Sequence, residues 1–328
     1  MKKQNSSGII IDIILWTMLS FFALFVLKNP KIAATGVTDG LFVCVNQLIP
    51  SIFPFMVFSN FIIKTNLHKK IGKCFSKPFE KFLKIGENSV GIVFLSFLSG
   101  FPSGALMTNE LYKRNQCTKN EAERLMGFCN NASPAFCIAV LGDKIFHNPF
   151  MGFLVYICHV FSAFISGFII SRNSENNFLT HKKDTTDKKI STISAFVKSI
   201  TQSAVSNFYI CSFVTFFYAF LNMVDYLSLV SYLNRFLSFS PQVQNCVNSV
   251  IFGLIEITNG INMLKSLSPL SLAVSGLILS FSGFCILCQC SNYAYDSNLS
   301  MKYYLKTKLL QSVISFILCF IMGVIFLS

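Results

Sequence analysis

The chain has 328 residues, of which 53% are hydrophobic and only 12% charged, and its mean hydropathy is +0.58. A soluble domain carries about a quarter charged residues, so this composition excludes an ordinary soluble protein and predicts an all-α polytopic membrane protein. The formal charge of +13 does not indicate nucleic-acid binding, because the lysines cluster in loops beside apolar segments, as the positive-inside rule describes. We predict one membrane domain over residues 1–328.

The first apolar run covers residues 9–27 and follows two lysines. It is longer than the roughly 7–15 apolar residues of a signal peptide, so we predict a retained transmembrane helix, with a cleaved signal peptide as the alternative. A second apolar run, 41–63, follows. The next stretch, 64–84, contains seven lysines and one glutamate. Its apolar residues recur at helical spacing, which predicts an amphipathic helix on the membrane surface.

Two apolar segments with polar interruptions come next. Residues 89–108 are broken at 100–104 (GFPSG), and residues 125–141 are broken at 130–134 (NNASP). The polar stretch between them, 109–124, contains charges of both signs, and we interpret these as a solvated loop with capping charges. Irregular backbone at membrane depth requires surrounding protein or a water-filled cavity, so both breaks are candidate site positions.

The second half of the chain repeats this plan after a further apolar span and a polar loop. Its first broken segment contains the sequence EITNG, and the following apolar segment is interrupted by SFSG. The predicted elements, in chain order, are the span 149–170, the polar loop 172–189, the span 193–221, an amphipathic piece at 226–239, the segment 243–267 broken at 256–260, the segment 269–290 broken at 280–283, and the last span 303–327.

Charge sets the predicted topology. Placing the basic loops 64–84, 109–124, 172–189 and 302–308 in the cytoplasm puts nearly all lysines inside. The broken segments 89–108 and 243–267 then become re-entrant hairpins that enter the membrane from opposite faces. The chain therefore divides into inverted-topology repeats. The predicted organisation is a first repeat with its following helix at 41–170, a cytoplasmic linker at 171–190, a second, inverted repeat at 191–290 and a last helix at 303–327.

Broken hairpins bring helix N-termini to mid-membrane, where their unpaired N–H groups attract carboxylates and other acceptors. Matching interrupted segments in two halves are the best sequence indication of a transporter's binding site. Helix–helix packing is the alternative role for small polar residues. The candidate substrate-binding residues are Ser103, Gly104, Asn130, Asn131, Ser133, Glu256, Thr258, Asn259, Gly260 and Ser282, with Ser280 beside the last of them.

Glu256 is the one carboxylate deep within a broken segment. An intramembrane ionisable residue is a functional hypothesis by default, so we expect proton coupling or a hydrogen bond to substrate. The alternative is a protonated carboxyl group that satisfies freed backbone groups. His159 lies in an apolar span, where we expect packing or hydrogen bonding.

No metal or catalytic constellation is apparent. The twelve cysteines lie mostly in apolar segments and are typical of small buried side chains. Cys285, Cys288 and Cys290 have no histidine or carboxylate near them in sequence, so we expect no zinc site. No hydrolase, protease or nucleotide-binding motif is present, and we expect neither an enzyme nor a cofactor.

Four motifs in order resemble the YlbJ sporulation integral membrane proteins of spore-forming Firmicutes, which belong to the wider nucleoside-recognition, or Gate, domain group. The resemblance covers residues 40–325 and implies an architecture similar to that of concentrative nucleoside transporters. It also implies a role in moving dipicolinic acid from the mother cell across the outer forespore membrane, with Ser103, Asn130, Asn131, Ser133, Glu256, Thr258 and Asn259 as site positions. The motifs are 49–55 (IPSIFPF), 99–105 (SGFPSGA), 128–134 (FCNNASP) and 253–260 (GLIEITNG).

We therefore expect a secondary transporter of a small anion, dipicolinate, working by alternating access in the cell membrane or the outer forespore membrane. A nucleoside carrier and a non-transporting membrane protein that recruits spore-assembly partners remain open. The expected partners are a small-molecule substrate and the lipid bilayer, without nucleic acid; a homo-oligomer is left open.

Overall fold

The chain folds into helices that are long and apolar enough to cross a membrane. The computed structural model describes residues 6–172, 191–230 and 240–327, and no strand occurs among them. Within these ranges five helices or helical runs could span a bilayer: Pro30–Lys64, Pro149–Ser171, Thr192–Tyr226, Pro269–Tyr295 and Lys302–Leu327. The protein is an all-α, polytopic integral membrane protein. Most of the predicted linker 171–190 and residues 231–239 lie outside the described residues.

The first half contains eight α-helices and two π-helical segments among the described residues. Two of its helices begin with proline, whose fixed φ and missing N–H suit the first turn. The helical elements of the first half, in chain order, are α1 (Ser6–Lys28), α2 (Pro30–Val43), the π segment Cys44–Leu48, α3 (Ile49–Lys64), α4 (Leu67–Leu83), α5 (Glu87–Ser99), α6 (Ser103–Lys113), α7 (Lys119–Phe128), the π segment Phe136–Ile145 and α8 (Pro149–Ser171).

The second half adds six described helices, two of which again begin with proline. A capping box at Ser268 and Ser271 starts the fourth of these helices, because each side chain accepts a hydrogen bond from the other residue's backbone N–H. The helices are α9 (Thr192–Tyr226), α10 (Pro241–Ile255), α11 (Ile257–Asn262), α12 (Pro269–Phe281), α13 (Gly283–Tyr295) and α14 (Lys302–Leu327).

The second span is longer than the sequence indicated. The prediction began it at residue 41, whereas the helix resumes directly at Pro30 and continues through the π segment to Lys64. Small residues on α2 allow this helix to lie close to α9. A Cβ added at Gly36 would lie 2.8 Å from Ala219 Cα, and one at Gly40 would lie 2.8 Å from Thr215 Cα, so α2 and α9 pack backbone to backbone.

The basic stretch forms the amphipathic helix α4, which meets α5 at an angle of 94°. Phe75 and Phe79 pack against Phe94 of α5, with ring centroids 5.2 and 5.5 Å apart. The lysines Lys70, Lys73, Lys77 and Lys81 are exposed. The helix thus separates an aromatic face from a basic one, as expected for a surface helix.

The polar stretch 109–124 is exposed only at 113–115 and 119–120, so the prediction of a solvated loop was wrong for the charged residues at its end. Glu121 and Arg124 are each only 2% exposed. Glu121 accepts hydrogen bonds from Gly86 N (2.7 Å) and Ser89 Oγ (2.5 Å) at the start of α5. Burial raises the pKa of the Glu121 carboxyl, and these hydrogen bonds act in the opposite direction.

Arg124 ties three helices together. Its guanidinium donates to Leu83 O (2.8 Å), Lys84 O (2.7 Å) and Ser171 Oγ (2.7 Å). The first two are orphan carbonyls at the end of α4, and Ser171 ends α8. Arg124 therefore holds the surface helix to the membrane helices, which a solvated charge could not do.

All four predicted breaks occur; three have narrower limits than predicted, and the second is shifted by one residue. The first is Gly100–Pro102, because helix α6 already begins at Ser103; the second covers residues 129–133. The third and fourth are the single residues Glu256 and Ser282. Each half thus contains two broken helical pairs followed by a long helix. The opposite orientation of the two halves in the membrane stays a prediction.

Candidate functional site

Three of the four breaks meet at one central cavity, and the fourth lies behind it. The cavity has about 50 Å³ of space for water-sized molecules. The broken segments contribute Phe101, Ser133, Glu256 and Thr258, and Leu279 lies just before the fourth break. The remaining lining residues are mainly apolar: Leu48, Ile52, Ala132, Phe136, Ile210, Val214, Ile257, Ile286 and Gln289. A mainly apolar cavity with a few convergent polar groups is the usual form of a small-molecule site.

Glu256 caps the helix that follows it. Its backbone is extended (φ −141°, ψ 119°), and its Oε2 accepts hydrogen bonds from Asn259 N (2.8 Å) and Thr258 Oγ1 (2.5 Å). Glu256 is 2% exposed and lines the cavity. The carboxyl group therefore has a structural role at the start of α11 and also reaches the cavity. A role in binding substrate or protons and a role in satisfying freed backbone groups are thus compatible.

The first and second breaks contact each other at Gly100 and Ser133. Gly100 has φ +79°, and a Cβ there would lie 2.9 Å from the Ser133 Cβ. Ser133 Oγ accepts a hydrogen bond from Phe136 N (3.1 Å), which caps the helical turn that leads into the π segment. The left-handed backbone and the close approach both require glycine at position 100.

A buried polar network lies behind the cavity and is built around Lys308 of α14. Lys308 is 1% exposed, and its Nζ donates to Asn131 Oδ1 (3.2 Å), Gln311 Oε1 (2.9 Å) and the carbonyl oxygen of Asn130. Three oxygens thus receive the three N–H groups of one ammonium. Gln311 Nε2 also donates to Asn131 Oδ1 (2.8 Å), so the second break is fixed to α14.

His159 connects the same break to α12. Its Nε2 accepts a hydrogen bond from Ala132 N (3.1 Å), and its Nδ1 lies 2.7 Å from Ser280 Oγ. Because Nε2 is the acceptor, the neutral ring carries its hydrogen on Nδ1 and donates to Ser280. The expectation that His159 is hydrogen-bonded is confirmed.

The fourth break joins the network through Tyr304. Ser282 has φ +74°, and its Oγ accepts a hydrogen bond from Tyr304 Oη (3.2 Å). Asn130 Nδ2 donates to Cys290 Sγ (2.9 Å) on α13. The second and fourth breaks are therefore connected to each other through side chains of α13 and α14.

The ten predicted site residues fall into three groups. Ser133, Glu256 and Thr258 line the cavity, whereas Asn130, Asn131 and Ser282 belong to the network behind it. The others do not line the cavity: Gly104 and Gly260 pack against backbone, Ser103 is buried without a hydrogen-bond partner for its Oγ among the described residues, and Asn259 faces a second pocket.

The sequence interpretation missed Lys308 and Gln311, and it placed residues 302–308 in a cytoplasmic loop. That placement was wrong for Lys308, which lies inside the helix and is fully enclosed. A signal was present: Tyr304, Lys308, Gln311 and Ser315 recur every three or four residues, so they form a polar stripe on an otherwise apolar helix.

Comparisons with known proteins agree with the motif resemblance. The chain is 22% identical over 320 aligned positions to the sporulation integral membrane protein YlbJ of Bacillus subtilis (strain 168), and the match covers 89% of this chain and 78% of that protein. No family model matches the chain, and no solved structure matches it. The similarity therefore extends over most of the chain, well beyond the four motifs.

Proposed function

We propose that the chain is a sporulation-associated secondary carrier that moves a small organic anion, dipicolinic acid, across the outer forespore membrane by alternating access. The observation that carries the proposal is that three of the four helix breaks line one central cavity, while hydrogen bonds connect the fourth to the second. Transporters place their substrate sites at discontinuous helices near the membrane midplane. The sporulation role is supported by the similarity to a sporulation integral membrane protein.

The cavity suits a flat aromatic acid that travels with protons. Phe101 and Phe136 offer aromatic surface to a planar ring, and Ser133 and Thr258 offer hydroxyl groups. Within the described chain no lysine, arginine or histidine lines the cavity, but Lys308 Nζ lies 5.4 Å from the ring centroid of Phe101. A proton on Glu256 removes the negative charge that would repel a carboxylate.

A nucleoside is the second candidate substrate. The polar groups on the wall are a carboxyl, an amide and two hydroxyls, from Glu256, Gln289, Ser133 and Thr258. Gln289 Oε1 is buried without a hydrogen-bond partner among the described residues. An unused acceptor on a wall without cations favours a neutral solute that carries N–H or O–H donors.

Uptake by the purified protein in lipid vesicles tests the proposal. We expect saturable uptake of radiolabelled dipicolinate that increases when a pH gradient is imposed and that excess nucleoside does not inhibit. Saturable nucleoside uptake without dipicolinate uptake would reverse the order of the two candidates. Vesicles that accumulate neither solute above protein-free vesicles would contradict a carrier function for these substrates.

Replacing Glu256 with glutamine should abolish the pH dependence of uptake and reduce pH-driven uptake by about 100-fold, a typical effect of losing a proton-transfer group. The amide oxygen can still accept from Asn259 N and Thr258 Oγ1, so the cap of α11 persists. Glu256→Ala is the matched structural control, because it removes the cap as well and should also lower thermal stability. Unchanged uptake with an unchanged pH profile in Glu256→Gln would exclude proton coupling at this residue.

A further inference from the structure

A second pocket lies on the other side of α11 from the central cavity. It has about 120 Å³ of space for water-sized molecules, and we call it the vestibule. Asp39 and Asp225 are exposed at its rim, whereas Tyr218 within it is 7% exposed. Asn259 lines the vestibule, and the preceding residue, Thr258, lines the central cavity. At this point only one turn of helix separates the two spaces.

A chain of hydrogen bonds crosses this thin wall. Tyr218 Oη lies 3.1 Å from Thr258 Oγ1, and Thr258 Oγ1 donates to Glu256 Oε2 over 2.5 Å. Asn262 Nδ2 donates to Tyr218 Oη at 3.5 Å. Since Thr258 gives its hydrogen to Glu256, its oxygen accepts the hydrogen of Tyr218. Both hydroxyl groups therefore point toward the carboxyl group.

We propose that Tyr218 and Thr258 relay protons between the vestibule and Glu256. The inference rests on the proposed function, in which Glu256 binds a transported proton. The transfer is concerted: a hydronium ion in the vestibule gives a proton to Tyr218 Oη, Tyr218 gives its own to Thr258 Oγ1, and Thr258 gives its own to the Glu256 carboxylate. One water molecule remains in the vestibule, each hydroxyl keeps one hydrogen, and the carboxyl group becomes neutral.

The surroundings of Glu256 favour this route. Among the described residues, the titratable groups that interact with it electrostatically are Tyr218 from α9, Cys44 from the first π segment and Cys285 from α13. Of these three, only Tyr218 lines the vestibule. The two aspartates at the rim attract protons to that side. With the predicted topology, the vestibule opens on the non-cytoplasmic side, near the end of α9.

The variant Tyr218→Phe keeps the ring and removes only the relay oxygen. We would follow protonation of Glu256 by time-resolved infrared spectroscopy after a pH jump, with the protein in lipid nanodiscs and Glu256→Gln to assign the carboxyl band. We expect Tyr218→Phe to slow the appearance of this band by about tenfold or more. Tyr156→Phe is the matched control: it removes a hydroxyl that donates to Phe97 O, away from the route, and should leave the rate unchanged.

Transport measurements add an independent readout. In vesicles, Tyr218→Phe should reduce dipicolinate uptake driven by a pH gradient but leave dipicolinate counterflow, which needs no net proton movement, at the wild-type rate. Equal protonation rates in wild type and Tyr218→Phe would overturn the relay, as would a Glu256 band that does not respond to pH. If the infrared rates differ but wild-type vesicles carry neither dipicolinate nor a nucleoside, the relay stands and the proposed function fails.

Discussion

Replacing Lys308 with alanine will lower the free energy of unfolding by about 3–5 kcal/mol, the usual cost of removing one partner from a buried charged network. The ammonium serves oxygens of Asn130, Asn131 and Gln311, all of which are fully buried. In a membrane interior no bulk water replaces the lost donors. The second break, which these contacts hold against α14, should lose its fixed conformation.

The free energy is measured by denaturant titration of the protein in mixed micelles, with thermal unfolding as a second probe. Lys306→Ala is the matched control, because Lys306 lies on the same helix but is exposed, and its removal should change stability by less than about 0.5 kcal/mol. Equal stability of the Lys308 and Lys306 variants would show that the network does not hold the break.

The breaks were predictable from sequence because their signals are local. Gly100 and Pro102 fall inside an apolar run, and Glu256 is a lone charge in another. Such residues stand out against the surrounding hydropathy without knowledge of any contact. Their limits were less predictable: Ser103 and Gly260 are compatible with both helix and turn, and the structure includes both in helices. Tertiary packing decides this choice, and local propensity does not.

Lys308 and Arg124 were misplaced for a different reason. Each was interpreted as a solvated charge because it lies next to other charged residues in the sequence. Their partners are distant along the chain: Lys308 binds Asn130 and Asn131, and Arg124 binds Leu83 O. One sequence gives hydropathy and periodicity but not these pairings, so buried charges with remote partners are the least predictable part of such a fold.

The candidate site was also predictable only in part. Polar residues at the breaks were identified, but the direction of each side chain depends on backbone angles that the sequence does not give. Thr258 turns to the central cavity, and Asn259, one residue later, faces the vestibule. Ser282 adopts a left-handed conformation and bonds to Tyr304 instead of lining the cavity. The sequence therefore predicted which residues lie at the breaks, but not the direction in which each side chain points.

Replacing Gly104 with alanine should destabilise the protein by about 2–3 kcal/mol through overpacking. A Cβ at this position would lie 2.3 Å from Cys129 O and 2.9 Å from Asn130 Cα. Both are backbone atoms that cannot rotate away, so α6 must separate from the second break. At a helical glycine without close neighbours, the same substitution would stabilise the protein, since alanine is favoured over glycine by about 1 kcal/mol in helices.

Gly86→Ala is the control for this prediction. A Cβ at Gly86 would meet nothing nearer than Glu121 Oε1, at 3.6 Å, and its φ of −74° is available to alanine. We expect a change within about 0.5 kcal/mol for Gly86→Ala, and both variants are compared by the same micellar titration. Because Gly104 contacts the residue whose carbonyl binds Lys308, Gly104→Ala should also reduce dipicolinate uptake. A Gly104→Ala protein with wild-type stability and uptake would mean that α6 and the second break move independently, and that the breaks do not form one unit around the cavity.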